Sequence, residues 1–586
     1  MRTAIGIVLA ILGLPLFAAG VVGAIYIGPD DTVEIVDAHF DTEAAVLATT
    51  PSVLGVAGPT LHVSADAGEA DVFVGAAHPV HVDSYLADVA HETITEVGLG
   101  GEVTSATEDG PKPVPDAPPE GLGWWQGSST GSGEQSISVE LTEQPLRIVV
   151  MHAEPGAPLA VDVAAGAEVG GAFVVAVVVG VVGLASLVGA FWLIRSARRR
   201  RRRARLTAVP PPADAVVDEE PSADDEPSAD EAGDGEETGR VIPLPGRHGA
   251  PPPPSPDSTP PGPPRPTARV RLIAGFGGMS ALVTGCAQLP QPVAESERPT
   301  TVEAITPAAA DDFFAHYTET NNAANATRDD ELIATVEAGA LLETTRFAYE
   351  EQEVRGAEPF VSFTIAASAV AAPRLGEYPL WSFVATEPDG DQAGSWYLLT
   401  RADAASPWLA HLAVHPEQDV AMPQPVSRDG SAVVADDEIA ERGDAVLDEL
   451  TAFAETGQEP DDVDLSYAGG VSRLPEHGLQ LDDAPPEFGS HDRQCQLRDP
   501  DQVHWLATEF GAMTLAAIEC TQTMGANPGY SVVVGPEGLG IVPGGAEIVN
   551  SSITQSVSFM LAVDTDGSAT VVGDRMRPTA MDYSEA

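Results

Sequence analysis

The chain has 586 residues, of which 88 are acidic and 29 basic, so its formal net charge is −59. This length suggests about three or four folded units, and the hydrophobic share of 43% is enough to build their cores. Lys112 is the one lysine in the sequence and lies between two prolines. This context excludes a phosphate-binding Gly-Lys-Ser/Thr loop and a Schiff-base lysine enzyme.

The first predicted element is an apolar stretch from Thr3 to Ile27 that follows Arg2 and contains no charged residue. It is longer than the roughly 7–15 residues typical of the apolar part of a secretory signal, so we expect an uncleaved membrane helix over 1–27. A cleaved signal is the alternative, because small residues suited to cleavage occur at 18–20 and 22–24.

Residues 28–170 are predicted to form a β-rich extracytoplasmic domain, a sandwich, because several segments alternate apolar and polar residues. A short helix is expected over 82–89. Trp124 and Trp125 are expected in a core or at a membrane interface rather than as an exposed aromatic pair. The candidate strands are 60–65, 71–77, 135–141, 146–153 and 159–164.

A second apolar stretch, 171–194, is predicted to be a transmembrane helix. A dense basic run follows it, and such runs mark the cytoplasmic side of a membrane helix, whereas nucleic-acid or anionic-lipid binding is the alternative. Small residues near one face suggest contact with another helix, including self-association between copies. The topology residues are Arg195, Arg198, Arg199, Arg200, Arg201, Arg202, Arg203 and Arg205.

Residues 195–271 are predicted to be a disordered cytoplasmic linker, because arginine, acidic and proline-rich segments cannot bury enough apolar surface to fold. A third hydrophobic segment, 272–287, ends in a sequence around Cys286 that resembles a bacterial lipobox. That resemblance implies lipidation of Cys286. Three alternatives remain: an uncleaved third membrane helix, cleavage before Cys286 that leaves a separate lipoprotein, and a buried element of a soluble domain.

After a linker over 288–300, residues 301–425 and 426–586 are each predicted to form an extracytoplasmic α+β unit. Thr306 and Pro307 are typical of a helix start. Thr327 with Asp330 resembles a capping box, which would start a second helix. In the second unit we expect a helix over 439–454. The candidate strands are 360–370, 380–386, 396–401, 408–414, 505–520, 530–534 and a hairpin of 556–563 with 568–572.

Helices followed by a curved antiparallel sheet resemble the cystatin-like cone fold. Several short patterns are also similar to an uncharacterised family of actinobacterial lipoprotein-like domains, and Trp125 with 147–151 resembles two-pass membrane proteins of the same bacteria. These resemblances imply no activity and no site residue. The patterns of the first are Asp312-Phe313-Phe314, Asn321-Asn322-Ala323, Asp329-Asp330 and Glu337-Ala338-Gly339.

The charge is distributed by segment, with a net −22 over 28–171, zero over 195–271 and −38 over 287–586. Basic residues near the apolar segments all fall on one side if the chain runs in, out, in, out. The fold class predicted is therefore a multi-domain membrane protein. It has transmembrane helices, a β-rich sandwich and a C-terminal α+β part that is cystatin-like and could comprise two units.

Cys495 and Cys520 are expected to form a disulfide, closing a loop worth about 3 kcal/mol, with two unpaired thiols as the alternative. His78, His81 and His91 lie close in sequence, but no carboxylate or cysteine completes a metal site. The segments 389–391 and 564–567 are interpreted as turns rather than calcium loops. We therefore assign no catalytic residue, no metal ligand and no cofactor.

The function predicted is that of a membrane-anchored cell-envelope protein that binds a partner or ligand without chemistry. Its expected partners are the lipid bilayer and an envelope protein, and the acidic exterior argues against nucleic acid. One alternative is an envelope hydrolase that uses a cone-shaped cavity. Another is a fused membrane protein and lipoprotein separated before Cys286.

Overall fold

A computed structural model of the chain describes residues 2–98, 101–152, 158–206, 291–294, 298–387, 394–416, 422–475, 488–536 and 538–586. The described part is rich in β-sheet and includes two helices that are long and apolar enough to cross a membrane. The third hydrophobic segment with Cys286 and residues 207–271 of the predicted linker lie outside the described residues. The prediction of disorder is wrong for 195–206, because these residues continue helix α3 to Leu206.

The two long helices are α1, Arg2–Ile27, and α3, Ala172–Leu206. They indicate association with a membrane, since most of their large apolar side chains are exposed and an apolar helix of this length spans a bilayer core. Pro15 lies inside α1 without ending it.

Glycines line the contact between α1 and α3. Gly6, Gly13 and Gly20 recur every seven residues and are buried. A Cβ atom at Gly20 would overlap the backbone of Gly180. Small residues allow helix backbones to approach this closely, and a seven-residue repeat keeps one helix face toward its partner. The glycines therefore set the close packing of the helix pair.

Residues 32–168 form two β-sheets with a shared core. Sheet A has the order β1-β11-β4-β9 and sheet B the order β7-β6-β2-β10-β5-β8. The elements are β1 (Thr32–Thr42), β2 (Val46–Thr49), β3 (Val56–Ala57), β4 (Thr60–Asp66), β5 (Asp71–Ala77), α2 (Pro79–Leu86), β6 (His91–Val97), β7 (Val103–Glu108), β8 (Gly127–Ser132), β9 (Gln135–Glu140), β10 (Arg147–His152) and β11 (Leu159–Glu168).

Alternation of side chains explains the core between the sheets. In β4, Leu61, Val63 and Ala65 point inward and are buried, while the residues between them are only half-buried, as expected for a strand with one face on a core. The expected helix at 82–89 instead begins at Pro79, because proline fits the first helical turn and His78 accepts a hydrogen bond from the backbone N–H of Val80.

The C-terminal part begins with β12, which pairs with β3 of the sandwich. Its elements are β12 (Gln291–Pro292), β13 (Val302–Glu303), α4 (Pro307–Thr327), α5 (Asp330–Ile333), α6 (Gly339–Arg355), β14 (Ala367–Ala371), β15 (Arg374–Leu375), β16 (Leu380–Thr386), β17 (Trp396–Arg401), β18 (Leu409–Val414), β19 (Ser427–Arg428), β20 (Ser431–Ala432), α7 (Asp437–Thr456), β21 (Val463–Asp464), α8 (Gly469–Arg473), β22 (Phe488–Leu497), β23 (Leu506–Ala507), β24 (Gly511–Ala526), β25 (Val532–Val533), β26 (Glu547–Asp564) and β27 (Ala569–Glu585).

These elements form four layers, α–β–β–α. Sheet C, with the order β14-β16-β17-β18, packs one face on α4 and α6 and the other on sheet D, with the order β21-β27-β26-β24-β22. Phe383 of sheet C and Leu515 of sheet D share the central core. Helix α7 covers the outer face of sheet D. The two expected units are therefore joined by one buried core.

The sandwich and the four-layer domain contact each other. Trp124 donates from Nε1 to the carbonyl of Ala404 at 2.8 Å, and the Ala404 N–H donates to Ser84 Oγ at 3.1 Å. His81 Nδ1 lies 2.9 Å from the hydroxyl of Tyr378. Trp124 is buried in this contact, so it is not an exposed aromatic site.

One expected helix cap is confirmed and one is wrong. Thr306 accepts a hydrogen bond from the Ala309 N–H and Pro307 opens α4. Thr327, in contrast, is the last residue of α4, because Arg328 takes a left-handed conformation with φ of 57° and ends the helix. Asp329 caps α5 instead, through the N–H groups of the next helix.

Several strands differ in length from the expectation. Strands β26 and β27 are much longer than the predicted hairpin. Their polar ends show no apolar alternation in the sequence, but they remain strands because the two strands pair with each other along this length. The turn after Asp564 is confirmed. Strand β14 is shorter than predicted, since Asn322 exchanges two hydrogen bonds with the backbone of Phe363 and takes the place of a neighbouring strand.

Candidate functional site

A cavity of about 560 Å³ lies between helices α4 and α6, sheet C and strand β27. This volume is within the range of about 300–1,000 Å³ that is typical of sites for small molecules. Its apolar lining residues are Leu341, Phe347, Ala348, Phe360, Val361, Phe363, Ile365 and Ala413. Its main polar ones are Tyr317, Asn321, Asn325, Glu337, Thr345, Ser395, Tyr397, His415, Arg575 and Arg577.

Glu337 is a fully buried carboxyl group in this cavity, with 1% of its surface exposed. Tyr317 donates to Oε1 at 2.6 Å, Asn321 donates to Oε1 at 2.9 Å and Thr345 donates to Oε2 at 2.7 Å. Burial raises its pKa to about 7, although the three hydrogen bonds and the charge of Arg575 act in the opposite direction. Glu337 therefore changes charge near neutral pH.

A ladder of amides extends from Glu337 along helix α4. Asn325 donates to Asn321 Oδ1 at 2.7 Å, and Tyr349 donates to Asn325 Oδ1 at 2.8 Å. Tyr317, Asn321 and Asn325 are spaced by four residues, so they lie on one face of the helix. Each buried polar group thus has a partner, which offsets the cost of burying it.

A second polar cluster connects sheet C with β27. Ser395 Oγ lies 2.5 Å from His415 Nδ1, and Arg575 donates to His415 Nε2 at 2.8 Å. Because an arginine can only donate, Nε2 accepts and the neutral imidazole carries its proton on Nδ1. His415 therefore donates to Ser395. Burial, followed by the charges of Arg575 and Arg577, lowers the pKa of His415 to about 4.

Arg575 lines the cavity as a cation with unused donors. Its Nε is buried and has no hydrogen-bond partner. Among the described residues no carboxylate lies within ion-pair distance of it, although the charge of Glu337 acts on it from further away. Burial lowers its pKa, and the neighbouring charge of Arg577 acts in the same direction. A guanidinium that lines a cavity and has an unused donor is suited to an anionic group.

None of the predicted site residues that the structure describes lines this cavity. Cys495 and Cys520 are directly opposite each other on β22 and β24 and form a disulfide. The arginine run lies in the last turns of α3, and Cys286 is outside the described residues.

The three early histidines do not gather around a common point. His78 contacts the carbonyl of Pro299, His81 contacts Tyr378, and His91 contacts the carbonyl of Val89. No group of three metal-ligating side chains occurs within the described ranges.

The cavity residues were missed by reasoning from sequence. The helical spacing of Phe313 and Tyr317 predicts a buried face, and continuing it by four residues reaches Asn321 and then Asn325. Two amides on an otherwise buried face are a signal for a polar pocket. The contribution of Arg575 has no such signal, because it comes from a strand more than 200 residues further along the chain.

Comparison with known proteins gives one family. Residues 301–473 match the family described as a domain of unknown function, DUF8094. The match includes sheet C, α4 to α8 and Glu337, but it ends before Arg575. No curated protein and no solved structure matches the chain significantly. The chain is thus similar, over this part, to a family whose description assigns no function.

Proposed function

We propose that the chain is a membrane-anchored cell-envelope protein whose four-layer domain binds an organic anion with an apolar body, without converting it. The observation that carries the proposal is Arg575, a half-buried cation without a carboxylate partner among the described residues, in a cavity with a largely apolar wall. A charge-assisted hydrogen bond to an anion would satisfy the guanidinium. The apolar lining would cover the rest of the ligand.

The direction of the hydrogen bonds at His415 favours binding over the hydrolase alternative. A serine nucleophile needs a histidine that accepts its proton, whereas His415 donates to Ser395 and Arg575 occupies its other nitrogen. Glu337 contacts Tyr317, Asn321 and Thr345 rather than a histidine. This arrangement positions groups but leaves no general base beside the serine.

The experiment is a titration of the full chain, in phosphatidylcholine nanodiscs, with linear carboxylates of increasing length and with 2-naphthoate. Empty nanodiscs provide the background. We expect Arg575→Gln to weaken binding about 10- to 100-fold, since a hydrogen bond to a charged group contributes about 1.5–3 kcal/mol. Arg442→Gln, on α7 and outside the cavity lining, is the matched control and should bind as the wild type does.

Three results would contradict the proposal. The first is that none of these acids binds. The second is that Arg575→Gln binds as tightly as Arg442→Gln. The third is hydrolysis of an ester substrate that Ser395→Ala abolishes, because this would favour the envelope hydrolase.

The membrane topology is also a proposal, supported by the contact between the sandwich and the four-layer domain. Two parts that touch lie on the same side of a bilayer. If α3 spans the membrane, the chain has to cross it again before Gln291 or be cleaved there. The apolar sequence of 272–287 fits either outcome, a third helix or processing before Cys286.

Labelling of cells with a radioactive fatty-acid precursor distinguishes the two outcomes. A labelled fragment of about 300 residues supports lipidation of Cys286 with cleavage, and an unlabelled full-length band supports a third helix. The likeness of α4, α6 and sheet C to a cystatin-like cone is part of the same proposal, and the helix pair over a four-stranded antiparallel sheet supports it.

A further inference from the structure

A second cavity, of about 350 Å³, lies inside the sandwich between sheets A and B. Most residues that line it are aliphatic. The inner wall is formed by Leu47, Leu61, Val63 and Val150, each at most 3% exposed. The cavity is thus an apolar space within the core, separate from the one that contains Arg575.

The side chains that line the cavity offer almost no free hydrogen-bonding group to a water molecule. Thr49 and Glu34 are the polar side chains in its lining. The hydroxyl of Thr49 already accepts a hydrogen bond from the Ile148 N–H at 2.9 Å, and Glu34 is exposed to solvent. Buried water needs two to four polar partners, and apolar cavities without them stay dry and take apolar ligands.

One end of this cavity lies where the membrane helices join the sandwich. Strand β1 begins at Thr32, shortly after α1 ends at Ile27, and β11 ends at Glu168, shortly before α3 begins. Thr32 and Glu168 are paired neighbours. The carboxylate of Asp31 accepts from the N–H groups of Gly171 and Phe173 and so joins the two connections.

The exposed part of the lining is at this same end. Ile35 lies three residues beyond the start of β1 and is 39% exposed, and Val56 is 36% exposed. Partly buried Val33, Val97 and Val103 complete an apolar rim. The rim therefore opens toward the end of the sandwich that the chain attaches to α1 and α3.

We propose that this cavity binds one unbranched hydrocarbon chain of a lipid. The dry aliphatic wall matches a chain of methylene groups, each of which gains free energy on leaving water. Attachment to α1 and α3 keeps the rim close to lipid, which raises the effective concentration of acyl chains at the opening. Glu34 at the rim disfavours an anionic head group and favours a neutral or zwitterionic one.

The hydrocarbon chain could come from two sources. One is a lipid of the surrounding bilayer. The other is an acyl group on Cys286, because Gln291 and Pro292 pair with Ala57 and Val56 at the rim, only a few residues after Cys286. Both sources supply the same chemistry to the same cavity.

The test uses the full chain in phosphatidylcholine nanodiscs that contain a phosphatidylcholine with a photoreactive diazirine near the end of one acyl chain. After irradiation, mass spectrometry locates the cross-linked peptides. We expect adducts on β2, β4 and β10, deep inside the sandwich, in addition to adducts on α1 and α3. Adducts on the helices alone, in the wild type and in Cys286→Ser alike, would overturn the proposal.

Variants that fill the cavity provide the control. Ala165→Phe and Ala167→Phe place a ring on the inward face of β11, where both alanines line the cavity, and should lower sandwich labelling by about tenfold or more. Ala160→Phe adds the same ring on the exposed face of that strand and should change nothing. Melting temperatures show which variants fold. Equal labelling of folded Ala165→Phe, or of folded Ala167→Phe, and the control would overturn the proposal.

Cys286→Ser separates the two sources. Equal sandwich labelling of the wild type and this variant assigns the chain to a bilayer lipid. Labelling that appears only in Cys286→Ser shows that the acyl group of Cys286 fills the cavity in the wild type. Absence of sandwich labelling from both forms overturns the proposal for either source.

Discussion

The four-layer domain has two halves: the first is α4 and α6 with sheet C, and the second is α7 with sheet D. The halves have the same arrangement of layers but bury different kinds of side chain. In each half a long helix covers an antiparallel sheet, and the two sheets share the central core. Helix α4 buries Tyr317, Asn321 and Asn325 on one face, whereas α7 buries Leu447 and Leu450. The first half combines an apolar core with a polar network at its cavity, whereas α7 and sheet D pack together on an apolar core.

This difference shows that the arrangement of helix and sheet does not require the polar network. Burying a carboxyl group and amides costs free energy unless every group is paired, and the second half forms the same layers without them. Each half also buries its own apolar core, so the polar network is an addition to the layers rather than a condition for them.

The largest expected effect comes from removing apolar volume in the second half. Leu447 is fully buried, so Leu447→Ala should lower the free energy of unfolding by about 2–5 kcal/mol. Leu341 borders the cavity, and Leu341→Ala should cost clearly less because part of its surface already faces empty space. Urea unfolding followed by circular dichroism measures both.

Glu449→Ala, on the exposed face of α7, is the control and should stay close to the wild type. If Leu341→Ala lowers the free energy of unfolding as much as Leu447→Ala does, the expected difference between the two halves is wrong.

The second prediction concerns the disulfide, which is in the second half. Replacing both Cys495 and Cys520 by serine should lower the free energy of unfolding by about 3 kcal/mol, because the unfolded chain regains the freedom of the open loop. Labelling of free thiols in the denatured wild-type protein checks the bond itself. Two reactive thiols at these positions would show that the expected pairing is wrong.

How far the sequence predicts this molecule depends on the range of the interactions. Local patterns predict the apolar helices, the cap at Thr306 and the turn after Asp564, because neighbouring residues determine each of them. The cap at Thr327 fails, since the left-handed Arg328 ends α4 one residue later. The cavity is not predictable in this way, because Glu337, just before α6, and Arg575, on β27, line the same cavity only through packing of segments that are distant in sequence.

The third prediction tests the cost of the polar network in the first half. Folding raises the pKa of Glu337 from its ordinary 4.5 to about 7, so the folded state holds a proton that the unfolded state has lost between these values. Stability from this proton is complete below pH 4.5 and is lost as the pH rises to 7. The change should reach about 3 kcal/mol.

Comparison with Glu337→Gln isolates this group. The stability of the wild type relative to the variant should fall between pH 4.5 and 7 and stay level above 8, as measured by urea unfolding at each pH. The other groups that interact with Glu337 are the same in both proteins; they are Tyr317, Asn321, Thr345, Tyr349, Tyr397 and Arg575. A difference that does not vary with pH would show that Glu337 is ionised throughout.

The smallest expected effect concerns a further difference between the halves. The first half also contacts the sandwich, through Ala404. Trp124→Phe keeps an aromatic ring, although a smaller one than the indole, and removes the N–H that donates to the Ala404 carbonyl. Loss of one hydrogen bond should cost about 1 kcal/mol. Hydrogen exchange at the amides of Ala404 and Ala405 should therefore become about fivefold faster.

Trp125→Phe is a matched control, because Trp125 donates to Pro119 within the sandwich. It should leave exchange at Ala404 unchanged while lowering the stability of the sandwich by a similar amount. Equal acceleration at Ala404 in both variants would mean that general loosening of the sandwich, rather than the single bond from Trp124, governs the contact. The contact would then depend on the shared apolar packing of Trp124 and Tyr85 around Ala404 and would survive loss of its hydrogen bond.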